Sequence, residues 1–332
     1  MALIRKTVWL LAVAALVAGL LSCNKEEEEE ATSGTMSGAV AFTVPSYVCM
    51  GETVTMTATG IIYPHDVTYR WYISDIYIDS LKTQTVTVRF PDSIGVYTVT
   101  ATAVSSGYYI SSNSQQVTTL DTSWNGSLKG LLPSDRSFLD VRDDQVYPYV
   151  TAGGLDWFAR NLAWAGAGVP YRASKAAAPL FGYFYTWDEA MSQQVCPEGW
   201  RVPANEDWES LSAALGDGFP RPFIDNWEGL GEKASVEAYL NDGRMWPYSP
   251  DNLHKNVLGW NALPIGYSFK TTDSRVNGFN EFGCWWSATE KNDSQAYYRY
   301  IWYDRGDFPM SYTAKDDMRA SVRCVRTHPQ SL

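Results

Sequence analysis

The chain has 332 residues, 45% hydrophobic and 19% charged, with a formal net charge of −11. That length suits about two domains, and the apolar share excludes a wholly disordered protein. The negative balance argues against duplex nucleic acid, and the three histidines His65, His254 and His328 exclude a His-rich metal or catalytic centre.

Residues 1–22 read as a signal peptide. Arg5 and Lys6 form the positive start, and residues 8–21 form an apolar run too short for a comfortable membrane span. The run ends in Leu20-Leu21-Ser22-Cys23, which resembles the lipobox of bacterial lipoproteins. The resemblance implies cleavage before Cys23 and acylation of that cysteine. Losing Arg5 and Lys6 takes the charge from −11 to −13. Residues 23–38 read as an acidic, flexible tether. Its five consecutive glutamates, 26–30, repel one another and stay solvated. The string CNKEEEEE resembles the export signal of surface lipoproteins in Bacteroidetes-type bacteria. The expected location is the outer membrane, lipid-anchored and facing outward.

Residues 39–120 carry a period of 2. Tyr69, Trp71 and Ile73 alternate with polar residues, as do Val99, Ala101 and Ala103. Gly51, Gly60, Pro64 and Gly95 punctuate the strands. The pattern predicts a small all-β sandwich of the immunoglobulin-like or PKD-like kind, with Trp71 in its core. Cys49 has no second cysteine in this stretch. No catalytic set assembles here, so the expected role is a spacer.

Residues 121–136 read as a linker. Beyond them aromatics crowd in, and all tryptophans but Trp9 and Trp71 lie at position 124 or later. DVRDDQVY (140–147) predicts a hairpin turning at Asp143-Asp144. Thr186 and Glu189 fit a capping box, and Asn205 is read as the cap of a second helix. That helix buries Trp208, Leu211 and Leu215 and ends at Gly216.

The motifs DVRDDQVY, WFARNL, GYFYTW, CPEGWRVP, EDWESL, NALPIGY, FGCWWSATE, AYYRY and SVRCVR follow in that order. Together they resemble the Fibrobacter succinogenes major paralogous domain, a C-type-lectin-like module of surface proteins. The resemblance covers residues 138–327, within a unit bounded at 137–328. Ala204 and Cys284 depart from its usual pattern. It implies an α+β fold, with two helices on antiparallel sheet and a long ligand-carrying loop region. The expected architecture is therefore multidomain: an all-β Ig-like sandwich, then an α+β lectin-like domain. In this fold Trp285, Trp286 and residues 297–300 are mostly core. The first helical region neighbours the last strand, which implies a Cys196–Cys324 disulfide.

Aromatic faces stack on sugar rings and amides bond hydroxyls. Trp246, Tyr248, Trp260, Tyr267 and Asn277 are therefore the candidate ligand residues, with Phe269, Asn252, Asn256 and Asn280 nearby. No catalytic residues and no metal ligands are assigned. Asp251, Asp273, Asp293, Asp304, Asp307, Asp316 and Asp317 offer oxygens for a structural Ca²⁺, yet no DxDxDG loop exists. Asp304 and Asp307 read as a turn, and His65 and His328 as loop residues. His254 has no identifiable partner motif, and spacing assembles no Ser-His-Asp set. Carbohydrate binding without catalysis is the first functional expectation. A protein-binding adhesin or envelope-complex subunit is the alternative. A remote alternative is an enzyme related to formylglycine-generating oxidases, which use a close cysteine pair with copper. Cys284 and Cys324 lie 40 residues apart.

Overall fold

The computed structural model describes residues 34–329 apart from 75, 78–82, 193, 224 and 273–274. The signal segment, Cys23 and residues 24–33 lie outside the described residues, as does Asp273. The described chain is mostly β and divided among several sheets. No described helix is long and apolar enough to cross a membrane.

The first sheet runs in the order Tyr47–Cys49, Ser111–Leu120, Gly95–Val104, Thr68–Ile73, Ile76–Tyr77. Its first pair is parallel and the others antiparallel. Two antiparallel pairs of non-consecutive strands accompany it: Ser37–Ala41 with Thr59–Tyr63, and Thr53–Thr57 with Thr85–Arg89. Strand alternation sends Val99, Ala101 and Ala103 inward beside the fully buried Trp71. Phe42 meets the Trp71 ring edge-on at 5.3 Å. The outward positions form a hydroxyl ladder, with Thr100–Ser114 at 2.8 Å and Thr102–Ser112 at 2.9 Å.

Two boundaries move. Met36 is buried and Ser37 already begins a strand, so residues 36–38 belong to the folded part and not to a flexible tether. The stretch read as a linker is also packed. Leu128–Lys129 pairs with Tyr239–Leu240, and Leu128 and Leu131 join a cluster with Leu120, Tyr171 and Phe181. Apolar side chains here gain more by burial than a free linker would allow. Ser174 Oγ donates to Tyr47 O at 2.7 Å across the same junction.

The later residues build three further main sheets. One runs Ser137–Asp140, Gln145–Ala152, Leu155–Phe158, Val325–Thr327, all antiparallel. The expected hairpin turn falls at 141–144, with Asp144 at positive φ. The second sheet runs Phe282–Asn292, Gln295–Trp302, Met310–Ala314, and the third runs Val276–Asn277, Tyr267–Phe269, Met318–Arg319. Asp304 and Asp307 lie in the connection between strands of the second sheet, as expected.

The helix Asn205–Leu215 buries Trp208, Leu211 and Leu215, and Gly216 is its C-cap. Its N-cap, however, is Ala204, so Asn205 is the first helical residue. Asp207 supplies the backward half of a capping box, accepting from Ala204 N at 2.7 Å, while Ala204 has no side-chain acceptor to return. Asn205 Oδ1 instead accepts from Ser287 Oγ at 2.8 Å. The capping box at Thr186 forms: Thr186 N donates to Glu189 Oε2 at 2.7 Å, and Glu189 N to Thr186 Oγ1 at 3.2 Å. That helix is one turn, Trp187–Ala190, shorter than the full element expected.

Most of the described tryptophans are core. Trp157–Trp208 (5.2 Å), Trp208–Trp260 (6.0 Å) and Trp260–Trp285 (4.9 Å) form one chain of rings. A buried cation threads it. Arg323 lies over Trp260 at 4.3 Å and donates to Asn161 Oδ1 (2.7 Å), Phe158 O (3.0 Å), Asn261 O (2.8 Å) and Trp260 O. Asn161 Oδ1 also accepts from Trp285 Nε1 at 2.9 Å. Burial pushes the Arg323 guanidinium well down. It has no carboxylate partner, so neutral acceptors satisfy it. Cys196 and Cys324 are joined by a disulfide across 128 residues.

Candidate functional site

The strand Gln295–Trp302 has two different faces. Arg299 and Ile301 point into the tryptophan core. Tyr298, Tyr300 and Trp302 share the other face and stay half-buried. Register sets Phe282 opposite Trp302, Cys284 opposite Tyr300, and Trp286 opposite Tyr298. Small, buried Cys284 and Ala296 leave room above the sheet. The neighbouring strand Tyr267–Phe269 closes the side.

The result is an aromatic concavity of about 410 Å³. Phe282 is its hub. Its ring stacks on Tyr300 at 5.2 Å and meets Trp302 at 5.1 Å and Tyr267 at 5.5 Å, both edge-on. Tyr267 meets Phe269 edge-on at 5.4 Å. Polar groups stand at the margin: Ser311, directly opposite Tyr298, then Thr313 and Arg305. Burial raises the Tyr298 phenol to about 12, partly offset by a hydrogen bond with Ser311. It therefore stays a neutral hydroxyl at physiological pH.

Two devices fix the walls. Asn252 Nδ2 donates to Trp302 O (3.2 Å) and Arg305 O (3.1 Å), setting the turn that carries Arg305. Gly266 sits at φ +76°, and a Cβ there would lie 2.1 Å from Asn277 O. Only glycine lets the Tyr267 and Asn277 strands approach so closely.

Of the five sequence-derived ligand candidates, Tyr267 lines the concavity; Asn277 is its cross-strand partner but is not among the lining residues. Trp246 and Trp260 are both 0% exposed, so neither offers a stacking face. Trp246 stacks on His254 at 5.2 Å and donates to Ala262 O, while Trp260 belongs to the core ring chain. Tyr248 is exposed, with Arg244 5.9 Å from its ring, and does not line the concavity. Asn252 and Asn256 are buried structural amides. Reasoning from sequence assigned residues 297–300 to the core and missed Tyr298, Tyr300, Trp302 and Phe282 as lining groups. The signal was the alternation of aromatics with Arg299 and Ile301, a two-faced strand.

Other polar groups are internal. His254 does have a partner: its Nδ1 lies 3.0 Å from Ser235 Oγ, with Asn252 Oδ1 at 3.4 Å from that hydroxyl. All three are buried. Burial, then the Arg244 charge, lowers the imidazole to about 4, so it is neutral. Ser235, 0% exposed, has no route to a substrate. His328 is more than a loop residue, because its Nδ1 contacts Asp156 Oδ1 at 2.7 Å. The Cys284 thiol is enclosed and pushed far up by burial. Among the described residues no group of three or more His, Cys, Asp or Glu could hold a metal ion.

A family model described as Fibrobacter succinogenes major domain matches residues 150–326, more than half the chain and every lining residue of the concavity. The chain belongs to this family. The Fibrobacter succinogenes major domain thus supplies both the Trp-lined core and the aromatic face. Among solved structures the chain has a likeness to one titled "Structure of Yersinia pseudotuberculosis adhesin InvE", with 12% identity and a TM-score of 0.23 over 87% of this chain and 70% of that one. That TM-score is too low to carry fold or role across. No curated protein matches the chain.

Proposed function

We propose that this is a non-catalytic surface protein that binds saccharide in the aromatic concavity. The reading assigns an acylated Cys23, an Ig-like or PKD-like spacer over residues 39–120, and a lectin-like binding unit over residues 137–328. The outer-membrane surface is its proposed location. One observation carries the ligand class: half-buried rings with a hydroxyl and guanidinium margin, around about 410 Å³. Pockets of that size and mixture suit one or two sugar rings, with stacking below and hydrogen bonds at the edge. Arg305 further favours a saccharide bearing a carboxylate or sulfate.

The test is glycan-array binding by the full mature chain, with and without EDTA. Saturable binding that falls at least about tenfold in Trp302→Ala and Tyr300→Ala, but not in Tyr248→Ala, supports the reading. EDTA sensitivity adds Ca²⁺. No binding by folded protein overturns it and favours the protein-binding adhesin. That second reading has its own support in Leu139 and Val146, exposed cross-strand partners at a sheet edge.

A further inference from the structure

The first described residue, Gly34, is pinned to one end of the N-terminal sandwich. Its N–H donates to Gly107 O at 3.0 Å, and its carbonyl accepts from Tyr109 N at 2.9 Å. The same end carries a cluster of exposed apolar side chains. Ile62 is 68% exposed, Tyr63 51%, Tyr109 60% and Ile110 65%. Its segments meet at Tyr108: the Tyr63 ring packs edge-on against Tyr108 at 5.9 Å, and Tyr108 bridges to Gly34. His65 packs edge-on against Tyr63 at 5.8 Å. The strands between present threonine and serine to solvent. Two further exposed apolar residues of this module, Ile94 and Val96, lie at its other end, so four of the six stand where the chain enters.

Ten residues separate Cys23 from Gly34. At ~3.5 Å per residue, they hold Gly34 within about 40 Å of a bilayer that anchors Cys23. The apolar end is the end at which that segment joins the fold. Segments 59–66 and 104–111 contain no Lys or Arg. Attraction to anionic headgroups cannot be their purpose. Tyrosine and isoleucine together suit the headgroup–acyl boundary, the ring hydroxyls in the polar layer and the aliphatic groups below.

We propose that Ile62, Tyr63, Tyr109 and Ile110 form a membrane-docking tip that seats the first module on the lipid surface. The proposal rests on the reading of Cys23 as the acylated residue. Docking fixes the orientation of the module, so the binding unit is presented outward.

The experiment uses full-length mature protein, purified with its native modification and reconstituted on phosphatidylcholine vesicles. Intact mass reports acylation of Cys23. Hydrogen exchange of 59–65 and 105–111 is compared with the unanchored Cys23→Ala chain in solution. The expected result is at least about fivefold slower exchange of both segments on vesicles, unchanged at high salt or with added phosphatidylglycerol. Ile62→Glu/Ile110→Glu, at exposed positions, removes that protection while leaving the remaining exchange map intact. Acylated, vesicle-bound protein whose two segments exchange as in solution overturns docking alone. An unmodified Cys23 overturns the anchor and the docking together. Protection of the same segments in a soluble dimer assigns the patch to self-association and overturns the proposal.

Discussion

Asn161→Ala tests whether the family's separated motifs act as one buried lock. Asn161, in WFARNL, is 6% exposed and bonds to two of the others, FGCWWSATE and SVRCVR, and to Phe181. Its Oδ1 accepts from Trp285 Nε1 (2.9 Å) and Arg323 Nε (2.7 Å), and its Nδ2 donates to Phe181 O (3.0 Å). Truncation orphans an indole N–H and a carbonyl at about 1–2 kcal/mol each, and one bond to a buried cation at about 2 kcal/mol. Arg323 keeps its three carbonyl acceptors, so the guanidinium is weakened but not stranded. A water entering the vacated space recovers part of the loss. The expected cost is about 3–5 kcal/mol, or a fall of roughly 6–15 °C in the melting temperature of this unit. Calorimetry of the full chain measures the midpoint. Hydrogen exchange locates the loss: Leu155–Phe158 and Val325–Thr327 should lose protection while Gly95–Val104 keeps it. A midpoint within ~1 °C of the parent, or equal loss in both regions, refutes the lock.

Replacing both Cys196 and Cys324 by serine removes a crosslink spanning 128 residues. Urea unfolding should show a loss of about 2–5 kcal/mol, and reduced parent protein should behave alike. The pH profile isolates His254. Its folded value, lowered from 6.5 to about 4 by burial and then by Arg244, means the unfolded chain binds the extra proton first. The stabilising contribution is full above pH 6.5 and is lost as pH falls toward 4. His254→Phe should flatten the curve by about 2–3 kcal/mol across that window, read by urea midpoints at several pH values. Identical slopes in both proteins would remove the assignment. Asp143, raised by burial, and Glu189, which burial raises but its hydrogen bonds hold below its ordinary value, also act near this window, but they do so alike in both proteins, so the difference between the two curves isolates His254. Gly266→Ala places a Cβ against Asn277 O at positive φ. It should weaken saccharide binding through Tyr267 while thermal stability of the N-terminal sheet stays unchanged.

Local periodicity carried much of the fold. The alternation around Trp71 and Val99, the DVRDDQVY hairpin and the Trp208–Leu211–Leu215 face each depend on neighbours within a few residues, so a sequence displays them. The Thr186 capping box is of the same kind. What sequence could not show is pairing over distance. Nothing local tells Trp246 and Trp260, which are buried, from Trp302, which lines a concavity. An indole that fills a core and one that stacks on a ligand have the same composition and spacing. Only the register opposite Phe282 and the buried amides decide which face meets solvent. The helix start was displaced by one residue for a related reason, since the bond that marks it runs backward, from Ala204 N to the Asp207 side chain, and needs no capping side chain at 204.

In the AYYRY segment one motif both fills the core and forms the face to which the proposed function assigns the ligand. Arg299 is fully buried, lies 3.3 Å from the centre of the Trp227 ring, and donates to Asp225 O (3.0 Å) and Phe308 O (2.7 Å). Burial lowers its guanidinium to about 9, which still leaves it charged at neutral pH. One residue to either side, Tyr298 and Tyr300 face the concavity. A charged group locked into carbonyls on one side of a strand has no freedom to slide, and a one-residue slip would move every ring to the wrong face. The cation therefore fixes the register that holds Tyr298, Tyr300 and Trp302 in line. A preformed row of rings loses little entropy when a ligand stacks on it. Disturbing Arg299 should thus impair binding through ring placement even though it lies on the far side of the sheet.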